Sequence, residues 1–211
     1  MSPRLLDLFC GAGGAAMGYH RAGFDVVGVD SNPKIAKHFP FEFIEADAMT
    51  YPLDGFDAIH ASPPCQDHMR TPGRTHGTGW MLAATRERLA AQAAPWVIEN
   101  VPGARMRPDF QLCGCMFGLP NLRRERWFET SWRGFAMMHG HDHREPAISV
   151  VGHGTPSWVR AQLGYNPTIA QYRAAMGIDW MNRNELSQAI PPAYTQFIGE
   201  QLLSRFYEET A

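Results

Sequence analysis

No stretch of this sequence approaches the roughly 20 continuous apolar residues that a membrane-spanning helix requires, which sets aside channels, carriers and single-span anchors. The chain starts without a basic and then apolar leader, so a soluble, unsecreted, cytoplasmic protein is expected, with no membrane partner. Cysteine is sparse, with four residues at positions 10, 65, 113 and 115. Their number and uneven spacing exclude the disulfide framework of a small secreted domain and suit a reducing compartment. Internal repeats and low-complexity tails are missing too, which removes solenoids and disordered interaction tails. Nor is there an excess of positive charge, since 19 Lys and Arg stand against 21 Asp and Glu, for a net charge of −2.

That near-neutral total hides an uneven distribution. Residues 1–65 carry 4 basic and 8 acidic groups, residues 66–144 carry 11 and 7, and residues 145–211 carry 4 and 6. The middle third is therefore the basic one. Every cation in it is arginine, whose planar fork suits phosphate oxygens and base edges better than the point charge of lysine. Arginine is also common on solvated faces, so the asymmetry is compatible with a nucleic-acid partner without requiring one. At 211 residues and 45% apolar content the chain can bury one sizeable core, and a single domain spanning 1–211 is expected.

Residues 4–9 (RLLDLF) read as a buried strand, and a glycine-rich turn over 10–14 opens a helical stretch ending near Gly23. Residues 25–30 (DVVGVD) form a second strand ending in an acid. Ser31-Asn32-Pro33 then supplies cap and first-turn chemistry for a further helix. Third and fourth strands are expected over 41–46 and 56–61. After a Gly, Pro, Thr and His-rich loop over 63–79, residues 80–94 (WMLAATRERLAAQAA) combine strong helix formers with an apolar stripe, and 96–101 read as a fifth strand. Strands and helices alternating at this spacing imply parallel βαβ units. The expected fold is α/β, a doubly wound, mostly parallel sheet with its ligand site at the carboxyl ends of the strands. Residues 123–130 are strand-like, 127–165 show no steady period and are expected as an irregular insert, and helices over 166–178 and 192–207 are expected to pack back on the sheet.

Three motifs fall at those carboxyl ends. In DLFCGAGG (7–14) the glycines let the backbone turn tightly and approach a ligand at a helix N-terminus, and Asp30 can accept both hydroxyls of a ribose. The pair would serve a dinucleotide or S-adenosylmethionine; the incomplete dinucleotide spacing and Asp47 favour the latter, and close packing alone is the plain alternative. In ASPPCQ (61–66) two prolines hold Cys65 just past the fourth strand, where a thiol can act as a nucleophile, or can simply be a small buried hydrophobe. In ENVPG (99–103) Glu99 can hydrogen-bond a base edge and deliver a proton, or can cap the following turn.

In this order and at this spacing, DLFCGAGG, Asp30, Asp47, PPCQ and ENV resemble the DNA cytosine-5 methyltransferases. Arg124-Glu125-Arg126 looks like that family's paired-arginine motif and QAIPP (188–192) like its C-terminal cofactor-side motif, so the resemblance covers nearly the whole chain. It implies a Rossmann-like fold and methyl transfer from S-adenosyl-L-methionine to carbon 5 of cytosine in DNA. Cys65, Glu99, Arg124 and Arg126 would be the catalytic set: Cys65 adds to carbon 6, Glu99 holds and protonates the ring nitrogen, Arg126 contacts the base carbonyl, and Arg124 supports a closed loop. The cofactor would contact Phe9, Cys10, Gly11, Ala12, Gly13, Gly14, Asp30, Ser31, Asp47, Ala48, Pro64, Gln188 and Ala189. Within that set Phe9 would lie against adenine, Asp30 would take the ribose and Asp47 the adenine amine.

A stacked base cannot present carbon 6 to a thiolate, so the DNA would be a duplex with a flipped cytosine, or a single strand, and the enzyme a monomer. The loop 66–79, with His68, Arg70, Arg74 and His76, is the candidate lid, a plain solvated loop being the alternative. The same catalytic set would serve RNA or a free deoxycytidine nucleotide. A catalytically silent nucleic-acid-binding module would be expected to have lost Cys65 or Glu99, and a Rossmann-like oxidoreductase gives PPCQ no role.

Three departures from the family pattern stand out. Leu122 replaces a glutamine two residues before the first paired arginine, and Ser187-Gln188 replaces Gly-Asn. Only 127–165 is available where the family places its sequence-reading domain, which implies a very short or relaxed target. That insert holds His139, His141 and His143, with Cys113 and Cys115 upstream. Neither Cys-x-Cys nor His-x-His matches usual zinc spacing, so no metal is expected and these residues are read as facing phosphate or solvent.

Overall fold

The computed structural model describes residues 2–65, 77–134, 140–150 and 155–208. Seven strands form one sheet in the order β3-β2-β1-β4-β5-β7-β6. β1 (Arg4–Leu8), β2 (Asp25–Asp30), β3 (Glu42–Glu45), β4 (Ala58–Ala61) and β5 (Trp96–Asn100) pair in parallel. β7 (Arg126–Thr130) runs antiparallel to β5 and carries β6 (Phe110–Leu112) antiparallel on its outer side. β4 and β5 are buried along their whole length, as strands covered on both faces must be. β3, at the edge, exposes Glu42 and Glu45, charges that discourage pairing with another chain.

Helix α1 (Gly14–Ala22) ends at Gly23, whose φ of 116° lets its N–H reach the carbonyls of Tyr19 and His20. It lies against α6 (Pro192–Glu208) at a distance set by small residues: a Cβ on Gly199 would fall 2.8 Å from Ala22 Cβ. One face of the sheet holds Leu5, Tyr19, Phe24, Val26 and Leu202. The other holds Leu6, Leu8, Val29, Ile59 and Ile98 with Leu82 and Leu89 of α2 (Met81–Ala90). A further cluster gathers Tyr172 and Met176 of α4 (Ile169–Met176) and Leu186 of α5 (Arg183–Gln188) around Ala12, Leu122, Ile148 and Val150. The C-terminal helices are thereby fixed beside the glycine turn.

Several elements differ from the sequence expectation. Past Asn32, whose side chain accepts from Lys34 N at 3.2 Å, only a single 3₁₀ turn (Pro33–Ile35) forms. Phe39 plunges into the core under Gly28 and Pro40 follows at once, so no helix can continue. β6, α3 (Ser157–Leu163) and α5 had no counterpart in the hydrophobic pattern. The irregular stretch accordingly starts after β7 and, among its described residues, contains one short helix.

Candidate active site

The strand order reverses between β1 and β4, the switch point at which such sheets open a crevice at their carboxyl ends. β1 leads into this crevice through Phe9 (φ 60°) and Gly11 (φ 50°). Left-handed backbone at a phenylalanine is uncommon; here Ser62 Oγ donates to the Phe9 carbonyl at 3.3 Å, and Cys10 N donates to Val29 O at 3.2 Å. The Asp30 carboxylate accepts from Gly11 N at 3.1 Å and from Asn32 N at 2.9 Å. The turn thus orients the acid, while each oxygen keeps a lone pair for a further donor.

The glycines divide between the two roles the sequence left open. A Cβ on Gly11 would meet nothing within 4 Å, whereas one on Gly13 would lie 2.7 Å from Pro40 Cδ and one on Gly14 would run into the Ile190 carbonyl. Gly11 therefore leaves room for a ligand, and Gly13 and Gly14 allow close packing. Gly13 caps α1 without a side-chain hydrogen bond, which leaves the first helical N–H groups suited to an anion.

The other cofactor candidates are placed unequally. Cys10 turns its side chain toward Gly28 in the core, so it borders the turn through its main chain. Ala12 is buried, and its carbonyl accepts from Trp180 Nε1 at 2.9 Å. Ser31 and Asp47 are exposed, with Asp47 Oδ1 accepting from Met49 N at 2.9 Å. Ala48 is buried with its carbonyl held by Arg88 Nη1 at 2.9 Å. Pro64 is half-buried, and Gln188 is exposed at the end of α5.

Because β4 and β5 are parallel neighbours, the loop carrying Cys65 and the end of β5 carrying Glu99 leave the sheet side by side. Asn100 ties them together, its Nδ2 donating to Pro63 O at 3.0 Å. In β7, Asn100 pairs with Trp127, and Arg126, one residue before it, places Nε 2.9 Å from Glu99 Oε1. That oxygen has no directed hydrogen bond among the described residues, so the contact is charge pairing at close range rather than an aligned fork. Arg124 points elsewhere. It donates from Nε to Ala189 O at 3.0 Å, from Nη2 to Ser187 O at 2.6 Å and from Nη1 to Val150 O at 3.4 Å, while Tyr194 OH donates to the Arg124 carbonyl at 2.8 Å. The loop that Arg124 was expected to support lies, over 66–76, outside the described residues. Among those described, Arg124 grips the C-terminal motif.

The four charges act on one another. Burial raises the Glu99 carboxyl above its ordinary range, with Arg126 and Arg124 pulling it down. Burial and then Glu99 raise the Cys65 thiol, against Arg126 and Arg124. Burial and the like charge of Arg126 lower Arg124, which still carries its charge, as guanidinium does in proteins. The resting pair is thus a protonated thiol beside a carboxyl predisposed to hold a proton.

Sequence reasoning gave no role to Asn100, Ser62 or Trp180, although the first two lie inside quoted motifs. It also missed a buried polar group beneath the turn. Asp7 of β1 pairs in register with His60 of β4, and Tyr19 OH lies 3.0 Å from His60 Nδ1. Burial raises Asp7 well above its ordinary value and lowers His60 to about 3, which leaves the imidazole neutral.

Away from the crevice, Cys113 and Cys115, on the 3₁₀ turn after β6, meet His141 and His143 of the insert. The reading of these residues as separate phosphate- or solvent-facing side chains did not anticipate that meeting. His139 lies outside the described residues.

A doubly wound sheet with an oriented acid at the end of β2, and a thiol near a carboxyl at the ends of β4 and β5, has the layout of a nucleotide-cofactor α/β fold. The C-5 cytosine-specific DNA methylase family model matches residues 3–108, and the chain belongs to that family. It is 29% identical over 130 residues to the type II methyltransferase M.HgiDI of Herpetosiphon aurantiacus, a match covering 54% of this chain and 42% of that protein. With M.HgiGI of the same organism it shares 30% identity over 118 residues, covering 49% of this chain and 94% of the relative. The chain thus spans less than half of M.HgiDI and, with 33% covered, a third of M.HgiDII. Among solved structures, the S. pombe Dnmt2 methyltransferase matches with a TM-score of 0.64 at 14% identity, covering 98% of this chain and 99% of that one. The Entamoeba histolytica methyltransferase EhMeth matches with a TM-score of 0.61 at 13% identity, with the same coverage. These likenesses establish the Rossmann-like methyltransferase fold. Among the described residues no helix is long and apolar enough to cross a membrane.

Proposed function

We propose that this chain, acting as a monomer, transfers a methyl group from S-adenosyl-L-methionine to carbon 5 of a cytosine in DNA through a covalent adduct at Cys65, with short or relaxed sequence specificity. The observation that carries this reading is the convergence of Cys65, buried Glu99 and Arg126 at the mouth of the glycine turn. The turn suits the cofactor: Gly11 leaves open space, Asp30 is oriented with lone pairs to spare, and Asp47 is exposed. When bound, the cofactor supplies an electrophilic methyl on a sulfonium.

Cytosine carbon 5 is a poor nucleophile until addition breaks the ring's aromaticity. The Cys65 thiolate forms the bond to carbon 6 while the displaced π electrons move through the ring to nitrogen 3, which takes the Glu99 proton. The resulting enamine lets carbon 5 accept the methyl group. Loss of the carbon 5 proton to solvent then expels the thiolate, and nitrogen 3 returns its proton to the Glu99 carboxylate, which restores the ring and the enzyme. A carboxyl raised by burial is predisposed to take up the proton that the first step needs, and Arg126, held beside that carboxyl, would contact the base carbonyl. Extrusion of the base costs a few kcal/mol. Between β7 and α4 the chain has room to place few side chains at base edges, and each bidentate pair contributes about 1–3 kcal/mol of discrimination.

Incubation with a donor labelled in the methyl group, against duplex DNA, single-stranded DNA, RNA and dCMP, tests the proposal. Label is expected in DNA. Label only in RNA or only in the nucleotide overturns the substrate and keeps the chemistry. Donor binding with no label anywhere means a silent module.

A further inference from the structure

We propose that Cys113, Cys115, His141 and His143 form a structural Zn²⁺ site that fastens the shortened insert to the edge of the sheet. All four ligand atoms lie within 4.8 Å of one another. Cys113 Sγ is 3.4 Å from His143 Nε2, Cys115 Sγ is 3.8 Å from His141 Nδ1, and the two ring nitrogens are 3.3 Å apart. A tetrahedron with Zn–S near 2.3 Å and Zn–N near 2.0–2.1 Å has edges of roughly 3.3–3.8 Å. Three of the six edges therefore already match, and the others, none longer than 4.8 Å, close on an ion with a shift of about 1 Å or less. Two thiolates with two imidazoles form a donor set that selects Zn²⁺ over the hard cations Mg²⁺ and Ca²⁺. Four protein ligands leave no open position for water or substrate, which makes the site structural rather than catalytic. Binding releases one proton from each thiol to solvent and leaves a neutral complex.

Spacing along the chain hides this arrangement. Each Cys-x-Cys or His-x-His pair alone is a poor chelate, and the site exists only because β6 and the insert close against each other across 26 to 30 residues. Among the described residues, the packing of Leu122 with Ile148 and Val150 and a handful of polar contacts also tie the two segments. Asn121 Nδ2 donates to Pro146 O at 3.1 Å, Ile148 N donates to Asn121 O at 2.8 Å, and Arg123 donates to the carbonyls of His143 and Glu145. Leu112, next to Cys113, pairs in register with Arg126, and Val150, at the far end of the fastened segment, offers its carbonyl to Arg124. The ion would thus hold the strip of chain that lies against the paired arginines. Cys113 is buried, whereas His141 and His143 are exposed, so the ion has an open route in.

The test uses the full chain with any affinity tag removed. Elemental analysis is expected to give about one zinc per chain. Replacement of the metal by Co²⁺ is expected to give the intense visible bands of a tetrahedral centre with a sulfur-to-cobalt charge-transfer band. Cys115→Ser and His141→Ala, both away from the core, should each reduce retained metal at least tenfold, while Cys65→Ser leaves it unchanged. Circular dichroism and donor binding serve as fold controls for each variant. With a chelator, amide exchange in 140–150 should rise while β1 and β4 stay protected. Failure of chelated protein to take up Zn²⁺, a weak octahedral cobalt spectrum, or full charge transfer in Cys115→Ser each overturns the site. None of these readouts depends on methyl transfer.

Discussion

Cys65 and the pair Cys113 and Cys115 are free thiols of one chain set in opposite company. Cys65 stands alone on a proline-stiffened loop, with a buried carboxyl and two guanidiniums acting on it. The other two lie with each other and two imidazoles, and the Arg123 guanidinium is turned to backbone carbonyls. A lone thiol beside a proton donor and positive charge can add to an electron-poor ring and leave again. Paired thiols with soft neutral neighbours have no such electrophile to meet, and a divalent ion satisfies them best. Neighbouring groups, more than local spacing, separate nucleophile from ligand.

Cys65→Ser is the sharpest way to break that contrast. Loss of a covalent nucleophile should lower transfer of labelled methyl by about 10⁴-fold or more, with donor affinity and zinc content held, since Cys65 is neither one of the acids that would hold the cofactor nor a member of the Cys and His cluster. Retained transfer would remove the covalent mechanism, and lost metal would mean that the two thiol regions are one.

Glu99→Gln comes next. The amide can accept or donate a hydrogen bond but cannot supply a proton, so the single-turnover rate should fall about 10²–10⁴-fold. The pH profile sharpens the point. Addition needs one proton shared by the pair, held by either Cys65 or Glu99 before reaction. Below the raised Glu99 pKa both groups are protonated, no thiolate is available and the rate falls. Above the raised Cys65 pKa neither holds a proton and the rate falls again. Burial, the leading cause at both groups, therefore predicts a plateau whose acid limb lies above the usual carboxylate range and whose alkaline limb lies above 9. In Glu99→Gln the limb set by the carboxyl should give way to a rise at higher pH that follows ionisation of the Cys65 thiol. An acid limb left at its original position assigns the titration to another group.

The crevice was legible because β1, β2, β4 and β5 are largely apolar runs and each leads to a residue of marked chemistry: the glycine turn after β1, Asp30 on β2, Cys65 after β4, Glu99 on β5. Periodicity and turn signals find such units without tertiary knowledge. What escaped depends on contacts distant in sequence. β6 has three residues and α5 six, too few for a period, and α5 exists through the Asn182 and Glu185 capping box and the burial of Leu186. The helix expected after Pro33 is cut short by the burial of Phe39. Arg124 was assigned to a closing loop, while its described partners are carbonyls 26 to 65 residues away. The Cys and His cluster escaped for the same reason.

The smallest effects separate two uses of glycine within the same turn. Gly14→Ala forces a methyl group into the Ile190 carbonyl, which belongs to backbone and yields little. Overpacking of this kind costs about 1–3 kcal/mol, partly offset by the better helix propensity of alanine, about 1 kcal/mol at an interior position and less at a first turn. A net loss of about 1 kcal/mol in chemical denaturation is expected. Gly11→Ala meets no atom but must adopt a φ of 50°, a strain of about 1–2 kcal/mol for an L residue. Its stability loss should be similar, yet its methyl group projects into the space left for the cofactor. Calorimetric titration with S-adenosylhomocysteine should therefore show affinity falling about tenfold, by about 1.4 kcal/mol, in Gly11→Ala while Gly14→Ala binds nearly as well as the parent. Equal losses in the two variants would mean that the turn only packs, and would move the cofactor away from β1.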